Sequence, residues 1–112
     1  MDSKPDEAAY NPLQEAVDIL IAMRDKIADD ANLTWSYYES ADQLRRELDD
    51  CIDGVRRSDK EHISGLGLYF YPACDMQTIS IDNGWSGDYI EFASRYDQLE
   101  PALSGSFSRF LN

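Results

Sequence analysis

The sequence predicts an α+β fold: one compact domain with two N-terminal helices, an antiparallel β-hairpin and a C-terminal helix. Three observations predict it. Two N-terminal segments carry apolar residues at helical spacing behind capping signals. Two later runs, Leu66–Tyr71 and Gln77–Ile81, alternate apolar and polar residues around a short proline-containing break. A last segment returns to helical spacing.

Asn11-Pro12-Leu13-Gln14 has the form of a helix start, with Asn as N-cap, Pro at the first helical position and Gln at the capping-box position. Leu13, Val17, Leu20 and Met23, flanked by Ile21 and Ile27, supply its apolar stripe. Asp29 to Asn32 stop it, which predicts a helix over 12–28. In the next segment Leu33, Trp35 and Tyr37 alternate with Thr34, Ser36 and Tyr38. That pattern suits a third strand near 33–38, and it also suits an aromatic connector between helices. Ser40-Ala41-Asp42-Gln43 is a second capping box. Leu44, Leu48, Cys51, Ile52 and Val55 extend it into a helix over 41–57.

After a polar connection, Leu66, Leu68 and Phe70 form one face of the first predicted strand, with Tyr69 and Tyr71 on the other. Pro72 to Asp75 break it. Ile79 and Ile81 are expected inward on the second strand, and Thr78 and Ser80 outward. Asp82-Asn83-Gly84 has turn chemistry. Ser86-Gly87-Asp88 suits a helix entry, where Asp88 and Glu91 complement the positive helix end. Tyr89, Phe92, Tyr96 and Leu99 form that helix's stripe, and Pro101 is expected just past its end. Residues 1–10 are expected to fray. Residues 104–112 are expected to form a tail, flexible at Ser104-Gly105-Ser106, with Phe107, Phe110 and Leu111 folding back.

A chain of 112 residues fits one domain, with 43% hydrophobic residues to build its core. Against 22 acids stand 10 Lys and Arg, a formal net charge of −12. Such a surface repels nucleic acid and anionic membrane and attracts cationic proteins; acidity also serves solubility. The N-terminus lacks the order of a signal peptide, and the longest apolar run near it, Ile19–Met23, is far too short to span a bilayer. The cytoplasm is the expected compartment.

No enzyme is expected. His62 is the single histidine, no Gly-x-Ser-x-Gly elbow is present, and Cys51 and Cys74 have no metal or redox spacing. Gly65-Leu66-Gly67 lacks the rest of a phosphate-binding motif. Asp82-Asn83-Gly84 with Asp88 lacks the ligand alternation of a calcium loop. Neither a cofactor nor a metal is therefore expected.

The expected binding face is the stretch holding Tyr69, Tyr71, Asp75, Asp82, Trp85, Asp88, Tyr89 and Glu91, in which acids and aromatic residues mix. Arg95 is the only base between Tyr69 and Asp97. Large rings with polar tips are favoured interface anchors, and acids around them steer a basic partner. The competing expectation is that Trp85 and Tyr89 plug the core while the acids face water. In size, acidity and aromatic content the chain resembles bacterial immunity proteins and other antitoxin-like inhibitors, which neutralise basic nuclease toxins. The resemblance implies an intracellular inhibitor that masks a basic protein surface, and it carries no residues across. A DNA-mimic variant fits less well, because Arg45 and Arg46 interrupt the acids of the second helix. The alternative is a homodimeric structural or regulatory subunit, paired through the hairpin edge.

Overall fold

The computed structural model describes residues 11–71 and 74–111, with side chains through Leu103. The described residues form five α-helices and one 3-10 turn: α1 (Pro12–Arg24), α2 (Ala41–Arg56), α3 (Lys60–Ser64), the 3-10 turn (Gly65–Tyr69), α4 (Asp75–Asp82) and α5 (Ser86–Leu111). No strand is present among them, so the expected α+β fold with a hairpin is corrected to an all-helical one.

The helix starts follow local chemistry. The Asn11 side chain accepts from the Leu13 amide at 3.0 Å and the Gln14 amide at 3.3 Å, closing the start of α1. Ser40 Oγ accepts from the Gln43 amide at 3.0 Å at the start of α2. Gln43 reaches back one residue further than a capping box requires, accepting from the Glu39 amide at 2.7 Å. Helix α1 ends at Arg24, four residues short of expectation, and Ile27 is buried beyond its last turn.

The hairpin fails because its two short runs satisfy a helical repeat better than a period of two. In the first, Leu66, Tyr69 and Phe70 are buried, while Leu68 and Tyr71 are exposed. That three-to-four-residue repeat belongs to a tight helical turn. In the second, Met76, Ile79 and Ser80 are buried and Ile81 is 60% exposed, which reverses the expected faces of Ser80 and Ile81. Ser80 sits inside without cost to hydrogen bonding, since its hydroxyl donates to the Gln77 carbonyl at 2.7 Å. Of the two expectations for 33–38, a third strand or an aromatic connector, the structure has the connector, which spans 25–40 without regular structure.

Gly84, at φ 82°, turns the chain out of α4, and the Trp85 amide donates back to the Ser80 carbonyl at 2.9 Å. Helix α5 then starts at Ser86, as expected, but continues through Pro101 to Leu111. Pro101 withholds one amide from the helix ladder. The helix nonetheless carries its buried stripe from Tyr89, Phe92, Tyr96 and Leu99 on to Leu103. The expected flexible 104–106 segment is therefore helical backbone; the folding back of Phe107, Phe110 and Leu111, the frayed 1–10 and the Pro72-Ala73 break lie outside the described residues.

One buried cluster unites these elements. Val17, Leu20 and Met23 of α1 meet Leu44, Leu48 and Val55 of α2 and the α5 stripe, and Phe70 stacks on Tyr96 with ring centroids 4.6 Å apart. Helix α3 docks through His62, whose ring lies against the Gly54 backbone of α2 where any β-carbon would collide. No helix among the described residues is long and apolar enough to cross a membrane.

Candidate functional site: an acidic surface with an aromatic connector

The eight residues expected to form a binding face divide by burial. Trp85, Tyr69 and Tyr89 are core residues, Trp85 being only 7% exposed. Their polar tips are satisfied inside. Tyr89 Oη donates to the Tyr69 carbonyl at 3.0 Å and lies 3.0 Å from Cys74 Sγ, and Tyr69 Oη donates to Glu47 at 3.2 Å. Burial, reinforced by Cys51 and Glu47 around Tyr69 and by Cys74 at Tyr89, raises both phenols above their ordinary value. Burial likewise pushes the Cys51 thiol up to about 11, with Asp50 and Glu47 adding to it. These groups hold their protons and pack.

The other five stay at the surface but do not gather around an aromatic anchor. Tyr71 rests over Gly67 and donates to Glu100 at 3.1 Å. Asp88 pairs with Lys26 at 2.6 Å, so a base from outside the stretch opposes its acids although Arg95 is the only base within it. Asp82 and Glu91 are exposed on α4 and α5, and Asp75 is half-buried and engaged by another segment.

That segment is the 25–40 connector, where the exposed aromatics lie. Trp35 and Tyr37 are each 77% exposed, more than any other large hydrophobic side chain among the described residues. Their backbone is held from several directions. Asn32 and Asn83 exchange two hydrogen bonds, from the Asn32 amide at 2.7 Å and from Asn83 Nδ2 to the Asn32 carbonyl at 2.8 Å. The Thr34 amide donates to Asn32 Oδ1 at 3.1 Å, Ser36 Oγ donates to the Leu33 carbonyl at 2.9 Å, and the Tyr37 amide donates to Asp75 Oδ2 at 3.0 Å. Leu33 and Tyr38 pack inward, and Tyr38 Oη donates to Glu47 at 2.8 Å. Burial and that Glu47 contact raise the Tyr38 phenol as well. Asp29, Asp30 and Glu39 of the same connector are exposed. Alternation left this segment open between a strand and an aromatic connector; the signal that could have singled out its display is the pairing of turn-forming Asn32 with the Trp35 and Tyr37 rings.

Four of the cations that could neutralise the acids are engaged within the fold, while Arg46, Arg56 and Arg57 are exposed. Arg24 grips Asp49 through two nitrogens at 2.5 and 3.1 Å, joining α1 to α2. Arg45 bonds the Ile27 carbonyl, Asp29 and Asp42 at 2.9, 2.7 and 2.8 Å. Lys26 pairs with Asp88, and Arg95 lies 3.6 Å from Glu15. A shallow groove between α1 and α2, lined by Ile21, Arg24, Asp49, Ile52, Asp53 and Arg56, is therefore an ion-paired seam.

His62 presents Nδ1 to Asp59 and lies 3.6 Å from Asp50 through Nε2, so both ring nitrogens face carboxylates. Hydrogen bonding to Asp59, with a smaller contribution from Asp50, raises its pKa, and His62 in turn lowers that of Asp59. Cys51 and Cys74 are free thiols. Among the described residues no group of three or more His, Cys, Asp or Glu side chains is placed to hold a metal ion.

No protein-family model matches the chain, and no curated protein and no solved structure matches it either.

Proposed function

We propose that this chain is a small protein-binding module that masks a basic surface of another protein, in the manner of an immunity- or antitoxin-type inhibitor. The observation that carries the reading is the disposition of charge. The chain has 22 acids against 10 Lys and Arg, and Arg24, Lys26, Arg45 and Arg95 are each committed to carboxylates of the chain itself. Arg46, Arg56 and Arg57 also face outward, but carboxylates outnumber them, and that excess attracts a cationic partner and speeds its encounter. A nuclease toxin, whose substrate-binding surface must be basic, is a fitting target, and occlusion of that surface is the mechanism. Two free thiols suit action in the cytoplasm.

The alternative of a homodimer built through a hairpin edge has no such edge among the described residues. The test is capture from the chain's own cell on immobilised protein at low ionic strength, followed by a salt gradient. The expected result is a basic protein retained at one-to-one stoichiometry and released as salt rises toward about 0.5 M, where surface charges are screened within a few ångströms. Recovery of only neutral or acidic proteins, or retention indifferent to salt, overturns the proposal.

A further inference from the structure

We propose that the partner docks on the 25–40 connector, with Trp35 and Tyr37 as its anchors, and that the occupant is an arginine- or lysine-bearing protein segment. This rests on the reading of the chain as an acidic binding module and assigns its docking site.

Two large rings held 77% in solvent make no contribution to the core, whereas Tyr69, Phe70, Trp85, Tyr89, Phe92 and Tyr96 are buried in it. Their exposure does not come from a loose loop. The Asn32–Asn83 exchange, the Thr34 and Ser36 turn bonds and the Tyr37–Asp75 bond fix the connector backbone at both sides of Trp35. Tyr37 also sets its ring edge-on to Tyr38, with centroids 5.8 Å apart, and Tyr38 is itself tied to Glu47. A backbone ordered before binding lowers the entropy cost of association, and Trp and Tyr are the residues most often found as binding anchors.

Charge selects the occupant. Residues 25–40 contain Asp25, Asp29, Asp30 and Glu39 against one base of their own, Lys26, which is paired to Asp88; Arg45 of α2 takes up Asp29, which leaves Asp25, Asp30 and Glu39 as the exposed carboxylates that face an arriving cation. The Tyr37 amide is capped by the Asp75 carboxylate. A guanidinium or ammonium group arriving here meets both the faces of electron-rich rings and nearby carboxylates. An anionic lipid surface meets the same carboxylates as repulsion.

The experiment uses the whole chain and a nona-arginine peptide as probe at low ionic strength. Calorimetry measures affinity, and acrylamide quenching reports on Trp35, since Trp85 is buried. The expected result is that the peptide binds, shields Trp35 from acrylamide, and binds at least about tenfold more weakly to the Trp35→Ala/Tyr37→Ala double variant. The Asp82→Asn/Glu91→Gln variant, altered outside the connector, is expected to retain affinity within about twofold, as rim charges do. Binding that leaves Trp35 fully quenchable, or that is unchanged in the double variant, overturns the connector as the site while leaving the acidic-module reading standing. Failure of the peptide to bind at all overturns both. Shielding of Trp35 by phosphatidylcholine vesicles, or by rising concentration of the chain alone, overturns the assignment in favour of a membrane or of a second copy.

Discussion

The stretch from Tyr69 to Glu91 and the connector from Asp25 to Ser40 have similar ingredients, aromatic residues among acids, and the fold treats them oppositely. In the first, Tyr69, Trp85 and Tyr89 face inward and their acids scatter over α4 and α5. In the second, Trp35 and Tyr37 face outward from a backbone tied down at Asn83 and Asp75. Composition does not separate the two regions; periodicity and tethering do. Helical spacing places Trp85 and Tyr89 four residues apart on the side that closes the core. The connector has no repeating face and must hide or display each side chain individually.

The contrast breaks most directly at the tryptophans. Trp85→Ala is expected to cost about 3–5 kcal/mol, as removal of a buried ring does, and Trp35→Ala to stay within about 0.5 kcal/mol, as exposed substitutions do. Urea unfolding of the two variants checks this. Equal losses would erase the distinction between the regions. Tyr89→Phe keeps the ring but removes the donor to the Tyr69 carbonyl, and a loss of about 1–3 kcal/mol is expected in the same assay.

Gly84→Ala sharpens the comparison at the turn that delivers Trp85 to the core. A β-carbon there has open space around it, so the expected loss of about 1–2 kcal/mol comes from φ 82° alone. Differential scanning calorimetry should show a lowered Tm with no gain in Trp85 exposure in the folded state.

A gentler lever is pH. The Asp59 and Asp50 carboxylates raise the His62 pKa above its ordinary 6.5, so the stability from these contacts is fully present below that value. It is lost as pH rises through the higher, folded-state value. The gap in urea midpoint between the wild type and His62→Gln should therefore narrow from mildly acidic to alkaline pH. Quenching of Trp35 should stay constant over the same range, because His62 docks α3 on α2 and touches nothing in the connector. A gap that widens with pH would mean that His62 packs chiefly as a neutral ring.

The starts of α1, α2 and α5 were the most legible features. Asn11, Ser40 and Ser86 mark starts that the fold uses, and Asn83-Gly84, expected as the turn that ends a strand, is the turn that ends helix α4. These are contests decided within a few residues, between a polar side chain and the nearest unpaired amides. The runs at 66–71 and 77–81 were misread because each spans five or six residues. Over that length, alternation and a three-to-four-residue repeat fit nearly the same apolar positions. Ile81 shows the result: inward in a strand, outward in α4. Pro101 misled in the other direction, since a proline that usually marks a helix end lies within α5.

By itself the sequence determined the acidity, the caps and the apolar stripes of α1, α2 and α5, because each depends on residue identity or on neighbours along one turn. Only the tertiary structure decided which aromatic residues are core and which are display. That choice depends on what stands opposite each ring. Trp85 falls within the cluster that unites α1, α2 and α5 and is covered. Trp35 is carried on a connector whose hydrogen bonds hold the backbone to Asn83 and Asp75, while Leu33 and Tyr38 take the inward places and leave its ring in water.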